Sequence, residues 1–145
     1  MIHENSTKTA DCPMCCCWHD DADLQVVELE QSYVVLNRDQ FFPGYTVLFT
    51  RRQVTELFHL EQSVRSALME EVSMVAKALS TTFNSAKINY ELLGNMVPHI
   101  HWHIVPRFIS EPLWPRPIWA AEHDQLLLTP GEYRQRIGTI RKALL

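Results

Sequence analysis

Several features that mark other classes of protein are absent from this chain. It contains no run of about eighteen apolar residues, which a membrane-spanning helix needs. Its opening segment, MIHENSTKTADCP, has no apolar stretch behind a basic start, so we expect a cytoplasmic location and no membrane contact. Thirteen basic residues stand against seventeen acidic ones, for a formal net charge of -4. This balance argues against duplex nucleic acid as a partner.

Spaced cysteines and interdomain linkers are also absent. All four cysteines fall within six residues: Cys12, Cys15, Cys16 and Cys17. Disulfides between such close residues would close only short loops, so the cluster is either a metal knuckle or a set of reduced thiols. There is no internal repeat or Gly/Ser linker, and 145 residues suit one compact domain. We assign residues 1–23 to an N-terminal arm with the cysteine cluster and residues 24–145 to a single domain.

The first half of the domain shows the patterns of three strands and a helix. The segment LQVVELEQSYVVL, residues 24–36, has β-branched runs on both sides of a turn and predicts a β-hairpin. Pro43 and Gly44 then turn the chain into a third strand, YTVLFT. Apolar residues between Glu61 and Asn84 recur at every third or fourth position, which predicts one long helix.

The second half predicts two further strands and a terminal helix. AKINYELLG and PHIHWHIVPRF are rich in β-branched and aromatic residues. The tail TPGEYRQRIGTIRKALL starts with Thr129 as a candidate cap and Pro130 in the tolerated first turn, and it becomes basic near its end. Since the strands and helices do not alternate strictly, we expect an α+β fold: an antiparallel sheet with one long helix and a C-terminal helix.

Three histidines alternate along the last predicted strand: His99, His101 and His103. Alternate residues of a strand share one face, so we expect all three imidazoles on one side of the sheet. One interpretation is the polar face of a half-exposed strand. A second is a zinc site with three imidazole ligands. A third is attack on phosphorus by a neutral imidazole whose other ring nitrogen donates to a fixed carbonyl, with the flanking rings stabilising phosphoryl charge.

The stretch HIHWHIV resembles the signature of the histidine triad (HIT) family of nucleotide hydrolases and transferases. The similarity extends to VVLNRDQFFPGYTVLFTRRQVTEL, and GNMVPH resembles the family's Gly-Gln-Ser/Thr-Val-x-His approach to the triad. Together these segments span roughly residues 34–107, about half of the chain. The chain looks like a small bacterial-type member, and HIVPR is more similar to the fragile-histidine-triad branch of dinucleotide hydrolases than to the phosphoramidases.

This resemblance implies the HIT fold and covalent chemistry at the α-phosphate of a nucleotide. His101 matches the middle histidine, the nucleophile that forms a nucleotidyl-histidine intermediate. His99 and His103 match the flanking positions, which polarise phosphate oxygens and assist the leaving group. The resemblance also implies four substrate-binding residues: Asn37 at the ribose, Val35 against the base, Asn95 near a phosphate oxygen, and Asn89 at the end of the preceding strand.

The chain departs from the family pattern at several positions near the triad. Met96 stands where Ser or Thr usually offers a hydroxyl to the leaving group. Tyr45 stands where many members have a fourth histidine after Pro-Gly, and the loop of residues 89–94 is short for the family. Downstream, EPLWPRPIW carries Trp114 and Trp119 in a proline-rich segment, for which we favour a structural or interface role.

The sequence CPMC raises the question of structural zinc. Some members of the family bind zinc through Cys-x-x-Cys, a histidine at the helix entry and the first triad histidine. Here Gln53 occupies the helix-entry position, so Cys12, Cys15 and His99 leave the shell one ligand short. Cys16, Cys17 and His19 are the candidate substitutes. No cofactor is required by the expected chemistry.

We therefore expect a homodimeric nucleotide hydrolase or nucleotidyl transferase. Its implied substrates are nucleoside 5′-phosphoryl compounds, either dinucleoside polyphosphates or phosphoramidates. Two alternatives remain open at this stage: a zinc-dependent hydrolase that uses the triad as its metal site, and a nucleotide-binding module without turnover. Loss of activity on metal removal distinguishes the first, and nucleotide affinity without hydrolysis the second.

Overall fold

The computed structural model describes residues 12–145, so residues 1–11 of the predicted N-terminal arm lie outside the described residues. The α-helices are α1 (Pro13–Asp20), α2 (Gln62–Phe83) and α3 (Pro130–Leu144). The strands are β1 (Gln25–Glu28), β2 (Ser32–Leu36), β3 (Thr46–Thr50), β4 (Lys87–Glu91) and β5 (His101–Arg107). Short 3₁₀ turns occur at Ala22–Leu24 and Leu57–His59.

The five strands form one antiparallel sheet in the order β1-β2-β3-β5-β4. The strands β1 and β2 form the predicted hairpin, with an irregularity between Gln25 and Val27. Strand β5 lies between β3 and β4, where His103 pairs with Val47 on one side and Glu91 on the other. Because β5 is paired on both sides, its alternating side chains have fixed positions on the sheet.

The side chains of β5 alternate between the catalytic candidates and the apolar core. Trp102 and Ile104 point away from the face that carries His101 and His103, and both are at most 5% exposed. Helix α2 packs against β4 and β5 and contributes fully buried residues such as Leu79. Burial of a leucine of this kind contributes about 1.5–3 kcal/mol to folding. The core thus fixes the strand from the side opposite to the candidate site.

The tight turn before β3 brings Tyr45 to the histidine face. Gly44 has φ = 88°, a conformation that L side chains rarely adopt. A Cβ atom at Gly44 would lie 2.6 Å from the ring of Phe83 in α2, so the close approach of the helix also requires glycine. The fully buried side chain of Gln40 fixes the turn by donating to the Tyr45 carbonyl and accepting from the Gly44 amide.

The predicted α+β architecture is confirmed. Helix α2 begins and ends within one residue of the predicted bounds, and α3 begins at Pro130 behind a Thr129 capping box. The last predicted strand is shorter than expected: β5 begins at His101, not at Pro98. The reason is that Ile100 bonds through its amide to the Val54 carbonyl, so the preceding residues do not join the β3–β5 ladder.

Helix α1 was not predicted from the sequence. It forms part of the segment assigned to the N-terminal arm, and it packs on the histidine face of the sheet, where Trp18 stacks on Tyr33 at a centroid distance of 4.7 Å. None of the helices within residues 12–145 is both long and apolar enough to cross a membrane.

Candidate active site

His101 and His103 lie side by side at the centre of the sheet. Their ring centroids are 5.0 Å apart, with an interplanar angle of 73°. The strand register places Phe49 opposite His101 and Val47 opposite His103, so each imidazole has an apolar cross-strand neighbour on the same face of the sheet. His101 is 7% exposed and His103 is partly exposed. Two adjacent imidazoles in a poorly hydrated setting suit chemistry on a bound anion.

The ring of His101 is oriented by a backbone carbonyl. Its Nδ1 lies 2.7 Å from the carbonyl oxygen of His99. A carbonyl can only accept, so Nδ1 carries the hydrogen and Nε2 holds a free lone pair. Among the described residues, no hydrogen bond reaches Nε2 of His101. The bond therefore orients the ring and leaves Nε2 as the nitrogen that can act as a nucleophile.

The ring of His103 is oriented by a tyrosine hydroxyl. The Tyr45 hydroxyl lies 2.5 Å from Nδ1 of His103. Burial, with a smaller contribution from His101, lowers the pKa of His103 to about 4. Burial also raises the pKa of Tyr45 well above its usual value, with further contributions from Glu91 and Asp39. Tyr45 therefore stays protonated and His103 is neutral. Among the described residues the Tyr45 hydroxyl has no hydrogen-bond partner other than Nδ1 of His103, so we assign it as the donor, which places the ring hydrogen on Nε2.

His99 occupies a different environment from the other two histidines. It is 1% exposed, and its Nε2 donates to the Thr50 carbonyl at 2.7 Å. Its Nδ1 faces the thiols of Cys12 and Cys15, at 3.5 and 3.6 Å. The structure thus brings the rings of His101 and His103 together and turns the ring of His99 toward the cysteines.

The cysteine pair is positioned by the first turn of α1. Cys12 is the N-cap of this helix, and its sulfur accepts from the Cys15 amide at 3.4 Å. The Cys15 thiol donates to Oε1 of Gln53 at 3.3 Å. The ligand atoms of Cys12, Cys15 and His99 all lie within 4.8 Å of one another. Two sulfurs and one nitrogen at this spacing, with an amide oxygen beside them, fit the donor set and size of a tetrahedral metal site.

The four predicted substrate-binding residues lie in different surroundings. Asn37 borders the cleft described below, and its side chain donates to the Asp39 carbonyl at 3.0 Å. Val35 is 4% exposed and pairs with Val47. Asn89 accepts a 2.6 Å hydrogen bond from the buried guanidinium of Arg107. Asn95 is exposed on the loop before the triad, where Met96 is 95% exposed.

A cleft of about 530 Å³ opens next to Tyr45 and Trp119, two side chains that contact His103. Its lining includes Asn37, Asp39, Phe42, Tyr45, Ile118, Trp119, Glu122 and His123. Tyr45 and Trp119 both contact His103, since the Trp119 ring meets the imidazole edge-on at 5.3 Å. The Trp119 indole donates to Glu91, which anchors it over the site.

Part of this cleft was not foreseen from the sequence. The segment EPLWPRPIW was noted for its aromatic residues, but the contact between Trp119 and His103 carries no sequence signal. The same holds for His123, which stacks on Phe41 at 3.8 Å and lies 3.8 Å from Asp39. These contacts depend on how the chain after β5 folds back, which no local pattern encodes. Of these residues, only Asp39 could have been expected at the cleft, because it lies two positions after the predicted ribose contact Asn37.

The fold and the histidine pair define an α+β protein whose triad histidines lie on an inner strand of the sheet, β5, and directly before it. The model of the HIT domain matches residues 20–109, more than half of the chain. The chain therefore belongs to the HIT family, as its motifs predicted. A solved histidine triad protein from Bradyrhizobium japonicum is similar with a TM-score of 0.78 and 28% sequence identity, over 88% of this chain and 96% of that one.

Two curated relatives carry named activities. The adenylylsulfatase HINT3 of Arabidopsis thaliana is 25% identical over 117 residues, which cover 77% of this chain and 59% of the relative. The asymmetrical bis(5′-nucleosyl)-tetraphosphatase of Schizosaccharomyces pombe is 28% identical over 81 residues, which cover 52% of this chain and 44% of the relative. The chain thus spans about half the length of these two proteins. Their names support nucleotide processing as the activity of the family.

Proposed function

We propose that this protein is a nucleotide hydrolase or nucleotidyl transferase that acts on the α-phosphate of nucleoside 5′-phosphoryl substrates, with His101 as its nucleophile. The observation that carries the proposal is the hydrogen bond from Nδ1 of His101 to the His99 carbonyl, which leaves Nε2 free to attack. The substrates considered are dinucleoside polyphosphates, phosphoramidates and adenylyl sulfates. The last class enters through the name of the Arabidopsis relative.

The reaction proceeds in two displacements at phosphorus. The lone pair of His101 Nε2 forms a bond to the α-phosphorus, while the bond to the leaving group breaks and its electron pair departs with that group. The carbonyl of His99 stabilises the cationic ring of the intermediate through Nδ1. Water then attacks phosphorus, the nitrogen–phosphorus bond breaks, and one proton passes to solvent. His101 returns to its neutral form.

Other residues of the site hold the substrate in this scheme. His103 donates from Nε2 to an oxygen of the transferring or leaving group. Asn37 contacts the ribose at the border of the cleft, and Val35 packs near the base. Asn95 reaches a phosphate oxygen from its exposed loop, and Asn89 supports this end of the sheet through Arg107. His99 acts mainly through its carbonyl, because its ring would have to leave Thr50 to touch phosphate.

Steady-state kinetics test this function directly. Diadenosine tetraphosphate, adenosine phosphoramidate and adenosine phosphosulfate form the substrate panel. We expect AMP release from at least one of them, and a loss of about 10³-fold or more in His101→Asn. The control His19→Gln changes an exposed histidine on α1 and should retain full activity. Affinity for AMP with no turnover of any substrate would favour a binding module instead.

We further propose that Cys12, Cys15 and His99 bind a structural zinc ion, with Gln53 as the nearest candidate for the fourth ligand. The donor spacing described above supports this assignment. Zinc there would fasten α1 to the segment that supplies the carbonyl for His101. Within residues 12–145, this is the only group of three or more His, Cys, Asp or Glu side chains whose ligand atoms converge. The three triad histidines do not form such a group, so the geometry does not support a zinc ion bound by the whole triad.

Elemental analysis of the purified protein tests the zinc proposal. We expect about one zinc per chain, and a lower melting temperature after chelation. Cys12→Ser should lose the metal, whereas Cys16→Ser, outside the converging group, should retain it. A wild-type protein that carries no zinc after growth with added zinc would contradict the proposal.

We also propose that the protein forms a homodimer through the open edge of β4. This strand ends the sheet, and Tyr90 on it is 52% exposed. Beside the strand runs a groove whose lining includes Ser73 and Lys77 of α2. An unpaired edge with an exposed aromatic residue favours pairing with the same edge of a second copy.

A further inference from the structure

The contact between Tyr45 and His103 distinguishes this site from one with a fourth histidine. Tyr45 is 8% exposed, and both polar groups of its backbone are bonded. Its carbonyl accepts from the Asn37 amide at 2.9 Å and from the Gln40 side chain at 3.0 Å, and its amide donates to the Phe42 carbonyl at 3.0 Å. Its hydroxyl therefore has little freedom to leave Nδ1 of His103, to which it lies 2.5 Å away.

The direction of this hydrogen bond determines what His103 can give to a substrate. A tyrosine hydroxyl that donates to Nδ1 leaves the only ring hydrogen on Nε2. The ring also contacts the rings of His101 and Trp119, and among the described residues no hydrogen bond reaches Nε2. His103 thus presents one neutral N–H to the reaction. A histidine in place of Tyr45 would instead form an imidazole pair that can share an extra proton.

We propose, building on the function proposed above, that Tyr45 is a positioning residue that keeps His103 a neutral hydrogen-bond donor and thereby biases the enzyme toward leaving groups that depart as anions. Such leaving groups are phosphate or sulfate oxygens of mixed anhydrides. Burial, which keeps the pKa of His103 near 4, also favours the neutral ring. The charged or titratable groups around Tyr45 and His103 are His101, Glu91 and Asp39.

The chemistry of the two bond types explains the bias. When Nε2 of His101 attacks an anhydride, the phosphorus–oxygen bond breaks and the oxygen keeps the electron pair, so no proton is needed. When it attacks a phosphoramidate, the phosphorus–nitrogen bond breaks and the nitrogen must take up a proton to leave as an amine. A neutral imidazole N–H stabilises the first leaving group by hydrogen bonding but is too weak an acid to protonate the second.

Two variants and a matched control test the role of Tyr45. Tyr45→Phe removes only the hydroxyl, and Tyr45→His supplies a second imidazole that can carry a proton. The control Tyr133→Phe also removes a buried hydroxyl, one that donates to the Arg38 carbonyl at 2.6 Å from α3. This control separates the loss of any buried tyrosine bond from the loss of the bond to His103.

The first readout is the ring tautomer of His103, measured by ¹⁵N NMR at pH 7 without substrate. We expect the Nε2–H form alone in the wild type and in Tyr133→Phe, and a mixture of both tautomers in Tyr45→Phe. A wild-type ring with its hydrogen on Nδ1 would overturn the proposal. Because no substrate is present, this readout does not depend on the proposed enzymatic function.

The second readout is the ratio of kcat/KM for adenosine phosphosulfate to that for adenosine phosphoramidate. We expect the wild type to favour the phosphosulfate, and Tyr45→His to lower the ratio by about tenfold or more. The ratio should be unchanged in Tyr133→Phe. An unchanged ratio in Tyr45→His would overturn the proposal. A wild type that hydrolyses neither compound, nor diadenosine tetraphosphate, would refute the proposed function, and with it the bias.

Discussion

One backbone carbonyl sets the chemistry of the central histidine. The His99 carbonyl fixes the hydrogen of His101 on Nδ1, while the His99 ring turns toward Cys12 and Cys15. His99 thus contacts the nucleophile through its backbone carbonyl and the thiols through its side chain. His103, two positions further along, is set by a tyrosine hydroxyl instead. Chemically identical side chains on one strand therefore receive different tasks from their nearest neighbours.

At the scale of the residue, the buried neutral state of His103 predicts acid sensitivity. Its pKa is about 4 in the folded protein, against 6.5 for a free imidazole. The unfolded chain binds a proton as the pH falls below 6.5 and the folded protein does not, so stability is fully present above this value and is lost toward pH 4. Between pH 7 and pH 5 the expected loss from this group is about 1–2 kcal/mol, allowing for the partial exposure of the ring.

Urea unfolding at pH 7 and pH 5 measures this loss. His103→Gln should reduce the difference in unfolding free energy between the two pH values by about 1–2 kcal/mol. His19→Gln, at an exposed position, should leave the difference unchanged. The same difference in the wild type and in His103→Gln would contradict a buried neutral ring.

The sequence allowed part of this site to be predicted. The alternation of His101 and His103 follows directly from the two-residue period of a strand. The different orientation of His99 does not, because it depends on where the β3–β5 ladder begins. Tyr45 could be marked as unusual by comparison with the family, but its bond to His103 needs two strands in register. The roles assigned to the individual site residues stay predictions until they are tested.

At the scale of the element, the turn before β3 requires glycine at position 44. Replacing Gly44 by alanine would place a side chain at φ = 88° and 2.6 Å from the Phe83 ring. We expect Gly44→Ala to destabilise the protein by about 2–4 kcal/mol, from left-handed backbone strain and overpacking together. The displaced turn should also lower activity, because it carries Tyr45. Chemical denaturation measures the first effect and kcat/KM the second.

Gly138 provides the matched control. It lies inside α3, and an added Cβ would meet nothing within 4 Å. Gly138→Ala should therefore stabilise the protein by up to about 1 kcal/mol, since alanine has the higher helix propensity. If both substitutions had the same sign, the distinction drawn between the two glycines would be wrong.

Regular elements were more predictable than the boundaries that shape the site. The apolar residues between Glu61 and Asn84 follow a helical period over more than five turns, which predicts a helix. The observed ends of α2 lie within one residue of the predicted ones. Helix α1 has only eight residues, and its first four are a proline, a methionine and two cysteines, which give no helical period. Its stability depends on the packing of Trp18 against Tyr33. Tertiary contacts of this kind have no local pattern.

At the scale of the whole molecule, the segment after β5 completes the cleft. The guanidinium of Arg107 is 1% exposed and donates to Glu111, Asn89 and the Arg116 carbonyl, which pins the segment to the end of the sheet. Further along, the Leu126 carbonyl accepts from the Gln40 amide. The α+β architecture was predictable from strand and helix periods, whereas this irregular segment is ordered by long-range bonds.

For the whole molecule we expect a dimer formed through the edge of β4. Light scattering coupled to size exclusion should give the mass of two chains for the wild type. Tyr90→Lys places a charge on the edge of β4 and should give a monomer, because charged edges resist pairing. Phe58→Lys, at a residue 75% exposed outside this edge, should remain dimeric. A monomeric wild type, or a dimer that survives Tyr90→Lys, would contradict the edge-to-edge arrangement.

Nucleophilic catalysis by His101 is tested by locating the covalent bond of the intermediate. The wild type is mixed with a labelled adenylyl substrate, quenched in alkali to preserve nitrogen–phosphorus bonds, digested, and its peptides are sequenced by mass spectrometry. We expect a nucleotidyl group on His101, in the peptide that contains all three triad histidines. A nucleotidyl group on His103 or elsewhere, or turnover with no bound nucleotide at any time after mixing, would contradict it.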